Sequence, residues 1–138
     1  MTIHSSCLCG AVRFQAKRMS GIVVCHCSMC RKAAGGAAGA FFVALRDEVT
    51  WTGEEYLTSY KSSPELVRTF CSRCGTAMTG ANLIEPDETI ILAANALNGD
   101  IAARIVAHEH LASKTSWADN DTAPHFDGPY PGWENLRP

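Results

Sequence analysis

Between Ala11 and Ala16 the chain alternates apolar Val12 and Phe14 with polar Arg13 and Gln15, the two-residue period of a strand with one buried face. Apolar runs follow at Gly21 to Val24 and at Ala37 to Leu45, the second carrying the pair Phe41-Phe42, and both read as strands. Further strands are expected at Val49 to Thr52, Tyr56 to Tyr60, Leu66 to Cys71, Ala77 to Ala81, Thr89 to Ala94 and Ala102 to Ala107. The breaks fall at Gly53, Ser62-Ser63-Pro64, Glu85-Pro86-Asp87 and Asn98-Gly99-Asp100, residue types that preset turns or bond to their own backbone. A helical turn is expected at Arg31 to Ala34, stopped by Gly35-Gly36. No stretch sustains a long helical period, so the pattern predicts a mainly β fold of short strands and many turns.

From about Ser116 the pattern dissolves into Asp119-Asn120-Asp121, prolines and glycines with isolated aromatics. This tail is expected to be irregular but docked through Trp117, Phe126, Tyr130 and Trp133. Nothing reads as an interdomain linker, and 138 residues suffice for one domain, 1–138, that buries roughly two-thirds of its unfolded surface. Twelve basic and 14 acidic residues are interleaved, for a net charge of -2, which excludes the basic footprint of a nucleic-acid binder. The most apolar stretch, Gly36 to Leu45, is far too short to span a bilayer. Met1-Thr2-Ile3-His4-Ser5 lacks the charged and apolar regions of a signal peptide. A cytoplasmic protein without nucleic-acid or membrane partners is expected.

Seven cysteines change this picture. In a reducing compartment they point to metal or catalysis rather than disulfides, and an odd number cannot pair completely within one chain. They form three clusters: Cys7-Leu8-Cys9, Cys25-His26-Cys27-Ser28-Met29-Cys30 and Cys71-Ser72-Arg73-Cys74. The first and third are each followed at once by glycine, Gly10 and Gly75, which suits a knuckle whose backbone folds tightly past sulfur with φ > 0. The middle cluster is followed by Arg31-Lys32 instead. This asymmetry pairs Cys7, Cys9, Cys71 and Cys74 into one closed four-thiolate site, clipping the start of the chain to its middle across a long loop. In an extended segment Cys25 and Cys27 share a face that His26 does not, and a Cys-x-x-Cys turn returns Cys30 to the same point. Both sets suit zinc, which holds sulfur tetrahedrally at about 2.3 Å, and two zinc ions per chain are expected.

Four thiolates close a tetrahedral ion, whereas three leave a position for water or an incoming thiol. A coordinated thiol is deprotonated outright, so the middle site would present a thiolate nucleophile at neutral pH. Three thiolates also dampen the Lewis acidity that hydrolysis needs, which points to a thiol or thiol adduct as substrate. Other readings compete. His108, His110 or His125 could close the site as a fourth donor and make it structural, His26 being the least suited. Seven unmetallated thiols could serve as small core residues, or a metal-free Cys25/Cys27/Cys30 cluster could do redox chemistry. An open three-donor site also loses metal more readily than a closed one, which leaves the second zinc open to partial occupancy.

Cys7-x-Cys9-Gly10, Cys25-His26-Cys27-x-x-Cys30-Arg31-Lys32 and Phe70-Cys71-x-x-Cys74-Gly75-Thr76, in this order, resemble the glutathione-dependent formaldehyde-activating enzyme family, which includes the centromere protein V-type domain. The likeness spans roughly Cys7 to Trp117. It implies a β-tent, several small coiled antiparallel sheets around two zinc sites, with structural zinc on Cys7, Cys9, Cys71 and Cys74 and catalytic zinc on Cys25, Cys27 and Cys30. It implies carbon-sulfur lyase or synthase chemistry, typified by formation of S-hydroxymethylglutathione from glutathione and formaldehyde. Glutathione's two carboxylates would need cations near the open position. Arg31 and Lys32 are nearest in sequence, with Arg73 and Lys114 as further candidates. His108-Glu109-His110 with Ser113-Lys114 and Trp117 resembles the family's His-Ile, Ser-Lys and Trp stretch, with Glu109 in place of an apolar residue. The alternative is a non-catalytic, zinc-stabilised thiol carrier or protein-binding module, since a fold does not determine function.

Overall fold

Where alternation or an apolar run meets turn residues, the chain forms short strands, and these assemble into three small sheets. The structure, a computed structural model, describes residues 2–119 and 122–138. Asn120 and Asp121 of the acidic run lie outside the described residues. In chain order the elements are β1 (Ile3–Ser6), β2 (Arg13–Ala16), β3 (Ile22–Cys25), α1 (Ser28–Ala34), β4 (Gly39–Leu45) and β5 (Val49–Thr52). They continue as β6 (Leu57–Lys61), β7 (Leu66–Cys71), β8 (Asn82–Leu83), β9 (Thr89–Ala93) and β10 (Ile105–Glu109). One sheet runs β1-β2-β5, a second β10-β3-β4-β9 and a third β6-β7-β8.

In β2 the predicted alternation is realised: Phe14 and Ala16 are buried, Arg13 and Gln15 exposed. Phe14 sits between Trp51 and Phe42, with ring centroids 5.2 and 6.3 Å away. A side chain buried this fully is worth roughly 1.5–3 kcal/mol of transfer free energy. The core draws on all three sheets, with Phe14 from the first, Phe42 and Leu92 from the second and Cys71 from the third. Val12 and Met78 complete it from outside the strands. The amide of Asn82 ties the third sheet to the second, accepting from Ile91 N–H at 2.7 Å and donating to the Ile91 carbonyl at 2.9 Å.

The structure corrects several expectations. The sheets are not all antiparallel, because β3 and β10 run parallel, a pairing that needs the long connection the intervening chain supplies. Ala77 to Ala81 is not a strand but an irregular segment with isolated pairings of Phe70 with Ala77 and Thr79 with Leu92. Its apolar character reflects burial at Met78, not extended geometry. The strand expected at Ala102 to Ala107 starts at Ile105, where pairing with β3 begins. β1 was not expected, since Ile3 is its one large apolar residue. The helical turn is a helix from Ser28, because the Cys27 sulfur caps it by accepting the Cys30 N–H, and Gly35, at φ 77, ends it. The tail is irregular, but Trp117 and Trp133 are 70 % and 68 % exposed. Its aromatics Phe126, Tyr130 and Trp133 pack on one another, and no described residue beyond Leu97 belongs to the core. No described helix is long and apolar enough to cross a membrane.

Candidate functional site

Cys7 and Cys9 lie in the loop between β1 and β2, while Cys71 ends β7 and Cys74 follows in the next turn. Their four sulfurs lie within 4.8 Å of one another, Cys7 to Cys9 at 3.6 Å and Cys9 to Cys71 at 3.9 Å. A tetrahedral ion with sulfur at about 2.3 Å needs sulfurs about 3.8 Å apart, so this donor set fits zinc. The two knuckles fold alike. Gly10 N–H donates to the Cys7 carbonyl at 3.0 Å and Gly75 N–H to the Cys71 carbonyl at 2.8 Å. Both glycines have φ 78, a left-handed conformation that costs residues with a β-carbon roughly 1–2 kcal/mol. A β-carbon on Gly75 would meet nothing within 4 Å, so the backbone angle, not space, calls for glycine there.

Polar groups close over the sulfurs: Val12 N–H donates to the Cys7 sulfur at 3.2 Å, the Thr76 hydroxyl lies 3.2 Å from the Cys74 sulfur, and Leu8 N–H donates to that same hydroxyl at 3.0 Å. The Thr76 hydroxyl and neighbouring backbone N–H groups hold the Cys74 thiol down to about 5. Against the pull of the Ala11 N–H, desolvation and the adjoining thiols push Cys9 up to about 11. Sulfurs this close cannot all ionise without a cation among them.

The second set is local. Cys25 ends β3, Cys27 caps α1 and Cys30 lies in its first turn, with the three sulfurs within 4.8 Å of one another. Burial raises the Cys25 thiol, and raises Cys30 in spite of Cys25 and Arg68. Burial also acts on Cys27, but the Cys30 N–H and the neighbouring thiols outweigh it and hold Cys27 down. The parallel register sets Glu109 opposite Cys25, where His26 N–H donates to the Glu109 carbonyl at 3.0 Å. A Glu109 carboxylate oxygen and an imidazole nitrogen of His110 thereby come within 4.8 Å of each other and of the Cys25 sulfur. From the third sheet comes Arg68, only 9 % exposed, with Nη1 and Nη2 at 3.7 and 3.6 Å from the Cys30 sulfur and Nε donating to the Ser62 hydroxyl at 3.2 Å. A cavity of about 650 Å³ opens over these groups, walled by Phe41, Leu66 and Ile91, a volume within the range of small-molecule sites.

Residues 2–113 match the family described as glutathione-dependent formaldehyde-activating enzyme. The chain belongs to the glutathione-dependent formaldehyde-activating enzyme family. It is 35% identical over 88 residues to a Halomonas elongata protein provisionally named as a glutathione-dependent formaldehyde-activating enzyme. That match covers 56% of this chain and 55% of the relative, so the chain spans about half the length of the curated relative it matches. The family match takes in all seven cysteines, Arg68, Glu109 and His110, and stops short of the tail.

In this formaldehyde-activating family member, the cations named from sequence lie elsewhere. Arg31 and Lys32 continue along α1 and are not among the residues lining the cavity. Arg73 sits over the Tyr56 ring at 5.2 Å, and Lys114 pairs with Asp119 at 2.5 Å. His26 stands away from the sulfurs, buried, its Nε2 3.0 Å from Nδ1 of His108. His125 is in the exposed tail. Arg68 was missed because an arginine within a strand reads as an outward residue. The signal was parity: in Leu66-Val67-Arg68-Thr69-Phe70-Cys71, Arg68 alternates in step with Leu66 and Phe70.

Proposed function

We propose that this chain is a carbon-sulfur lyase or synthase acting on a small thiol adduct, with glutathione as the thiol and formaldehyde as the one-carbon electrophile. One observation carries the reading: three thiols from a single loop face a cavity of about 650 Å³ with a buried guanidinium against one of them. A separate four-thiol set supplies every donor that a tetrahedral ion takes. Cys7, Cys9, Cys71 and Cys74 would hold a structural zinc, and Cys25, Cys27 and Cys30 a catalytic one. Zinc on the three thiolates would supply a position at which a substrate thiol is kept deprotonated at neutral pH.

The chain's own groups do the rest. Three thiolates around a divalent ion leave one net negative charge, which buried Arg68 offsets. Phe41, Leu66 and Ile91 exclude water and hold both reactants, replacing a bimolecular encounter by an oriented one. The Glu109 carboxylate, beside Cys25, accepts the proton that the substrate thiol loses. As the sulfur bonds to the formaldehyde carbon, the C=O pair moves to oxygen and takes that proton back. The reverse sequence cleaves the adduct. A reducing compartment such as the cytoplasm would keep the seven thiols from forming disulfides before metal binds.

Zinc-loaded full-length chain mixed with glutathione and formaldehyde, at concentrations where the blank reaction is slow, should accelerate formation of S-hydroxymethylglutathione. No rate above the blank with glutathione or any other common cellular thiol would overturn the enzymatic reading.

A further inference from the structure

We infer that His110 supplies the fourth donor to the Cys25/Cys27/Cys30 set while no substrate thiol is bound, with Glu109 as the carboxylate beside its ring. The inference rests on the catalytic reading of that set given above. Cys25 belongs to two groups at once, one with Cys27 and Cys30 and one with Glu109 and His110, and in each the donor atoms lie within 4.8 Å of one another. His110 lies this close to Cys25 but not to all three thiols, so it would close the set by turning its ring toward Cys27 and Cys30.

The backbone builds this corner. The parallel pairing of β10 with β3 fixes Glu109 opposite Cys25, and the His26 N–H holds the Glu109 carbonyl. One residue later the chain leaves the strand sharply. His110 is the only described residue other than glycine with positive φ, at φ 56 and ψ 38. A residue with a β-carbon adopts that conformation at an energetic cost, and such residues collect at functional sites. Glu109, His110 and Ser113 all line the cavity over the three thiols.

Charge decides which of the two donors binds. With Arg68 already offsetting the one net negative charge of an ion on three thiolates, a neutral imidazole adds a donor and no charge. A carboxylate would restore the excess. Glu109 fits better as the acceptor for the other ring N–H of His110, an arrangement that fixes the tautomer and orientation of a ligating histidine. His108 is engaged with His26. An incoming thiolate is a softer donor than imidazole, matches the three sulfurs already present, and displaces His110. The resting site is closed by the chain itself and opened by its substrate.

The decisive variant is His110→Gly, which keeps the left-handed backbone without steric penalty while removing the ring. With zinc on the four-thiol set of the full chain, cobalt(II) is titrated into the second set and followed by its visible spectrum. His110→Gly should alter the spectrum of the bound ion and weaken its affinity more than Glu109→Gln, whose loss as the ring's partner is roughly 10–100-fold. A His110→Gly protein with unchanged spectrum and affinity overturns the inference, as does a larger loss in Glu109→Gln. Glutathione added to the cobalt protein tests the catalytic reading separately. If it leaves the wild-type spectrum unchanged while His110→Gly weakens binding, the donor assignment stands and the catalytic reading fails. If it shifts the wild-type spectrum while His110→Gly already matches wild type, the reverse holds.

Discussion

The two thiol sets are built in opposite ways. In the four-thiol set the donors come from far apart, Cys9 and Cys71 being 62 residues distant, while the supporting groups, Val12 N–H and the Thr76 hydroxyl, are neighbours of the cysteines they serve. In the three-thiol set the donors share one strand-to-helix turn, while the supports, Arg68 and the Glu109-His110 corner, come from other strands. An ion in the first set would hold tertiary structure together. An ion in the second would organise a loop and face a cavity, so its loss should be felt in chemistry before it is felt in stability.

The largest effect should come from Cys74→Ser. Structural zinc in small metallo-domains is worth on the order of 10 kcal/mol, comparable to the whole net stability of a domain, about 5–15 kcal/mol. Thermal melts followed by circular dichroism should lose their cooperative transition. Cys27→Ser should remove the second metal equivalent and glutathione-dependent turnover but spare the fold, because serine can take over as the helix N-cap. Its melting point should move by no more than roughly 3–5 °C, between the shifts that about 1 kcal/mol produces in smaller and larger domains than its 138 residues. Equal melting losses in the two variants would break the comparison.

Arg68→Met should act between these extremes, removing a charge-assisted contact of about 1.5–3 kcal/mol. Chelator competition should then show metal at the three-thiol set held roughly 10–100-fold more weakly, with the four-thiol set unchanged and Arg68→Lys recovering part of the loss. The smallest effect is expected from Glu48→Gln, away from both sets. The Arg18 guanidinium, at 2.7 Å, holds the Glu48 carboxyl below its usual range. Its contribution is therefore complete above the ordinary carboxylate pKa and is lost as pH falls through the depressed folded value. Urea titrations should show a slight deficit for the variant at neutral pH that fades on acidification and in high salt, with metal content unaltered.

How legible each part was follows from the distance over which it is determined. β5 and β7 are read directly, since Val49–Thr52 and Leu66–Cys71 are bounded by their own turn residues. The knuckle glycines are equally local. Ala77 to Ala81 misleads because an apolar run reports burial and says nothing of extension. Arg68, Glu109 and His110 become neighbours of the three thiols only through pairing between strands. The contact of His26 with His108, 82 residues apart, depends on a parallel register that no short window encodes. The tail aromatics read as anchors, but the described core is complete without them.

The separation of Cys9 from Cys71 also sets an order of events during synthesis. At about 5–20 residues per second, the first knuckle waits roughly 3–12 s for its partner to be made, whereas the middle loop is finished almost as soon as Cys25 appears. The nascent chain thus has Cys25, Cys27 and Cys30 complete while Cys7 and Cys9 still lack Cys71 and Cys74. For those seconds Cys7 and Cys9 have the sulfurs of the middle loop as their nearest company, and a metal ion caught between the two would bridge a misfolded chain. On the proposed zinc assignment, the metal supply during synthesis would bear on how many copies reach the native state, alongside the finished geometry.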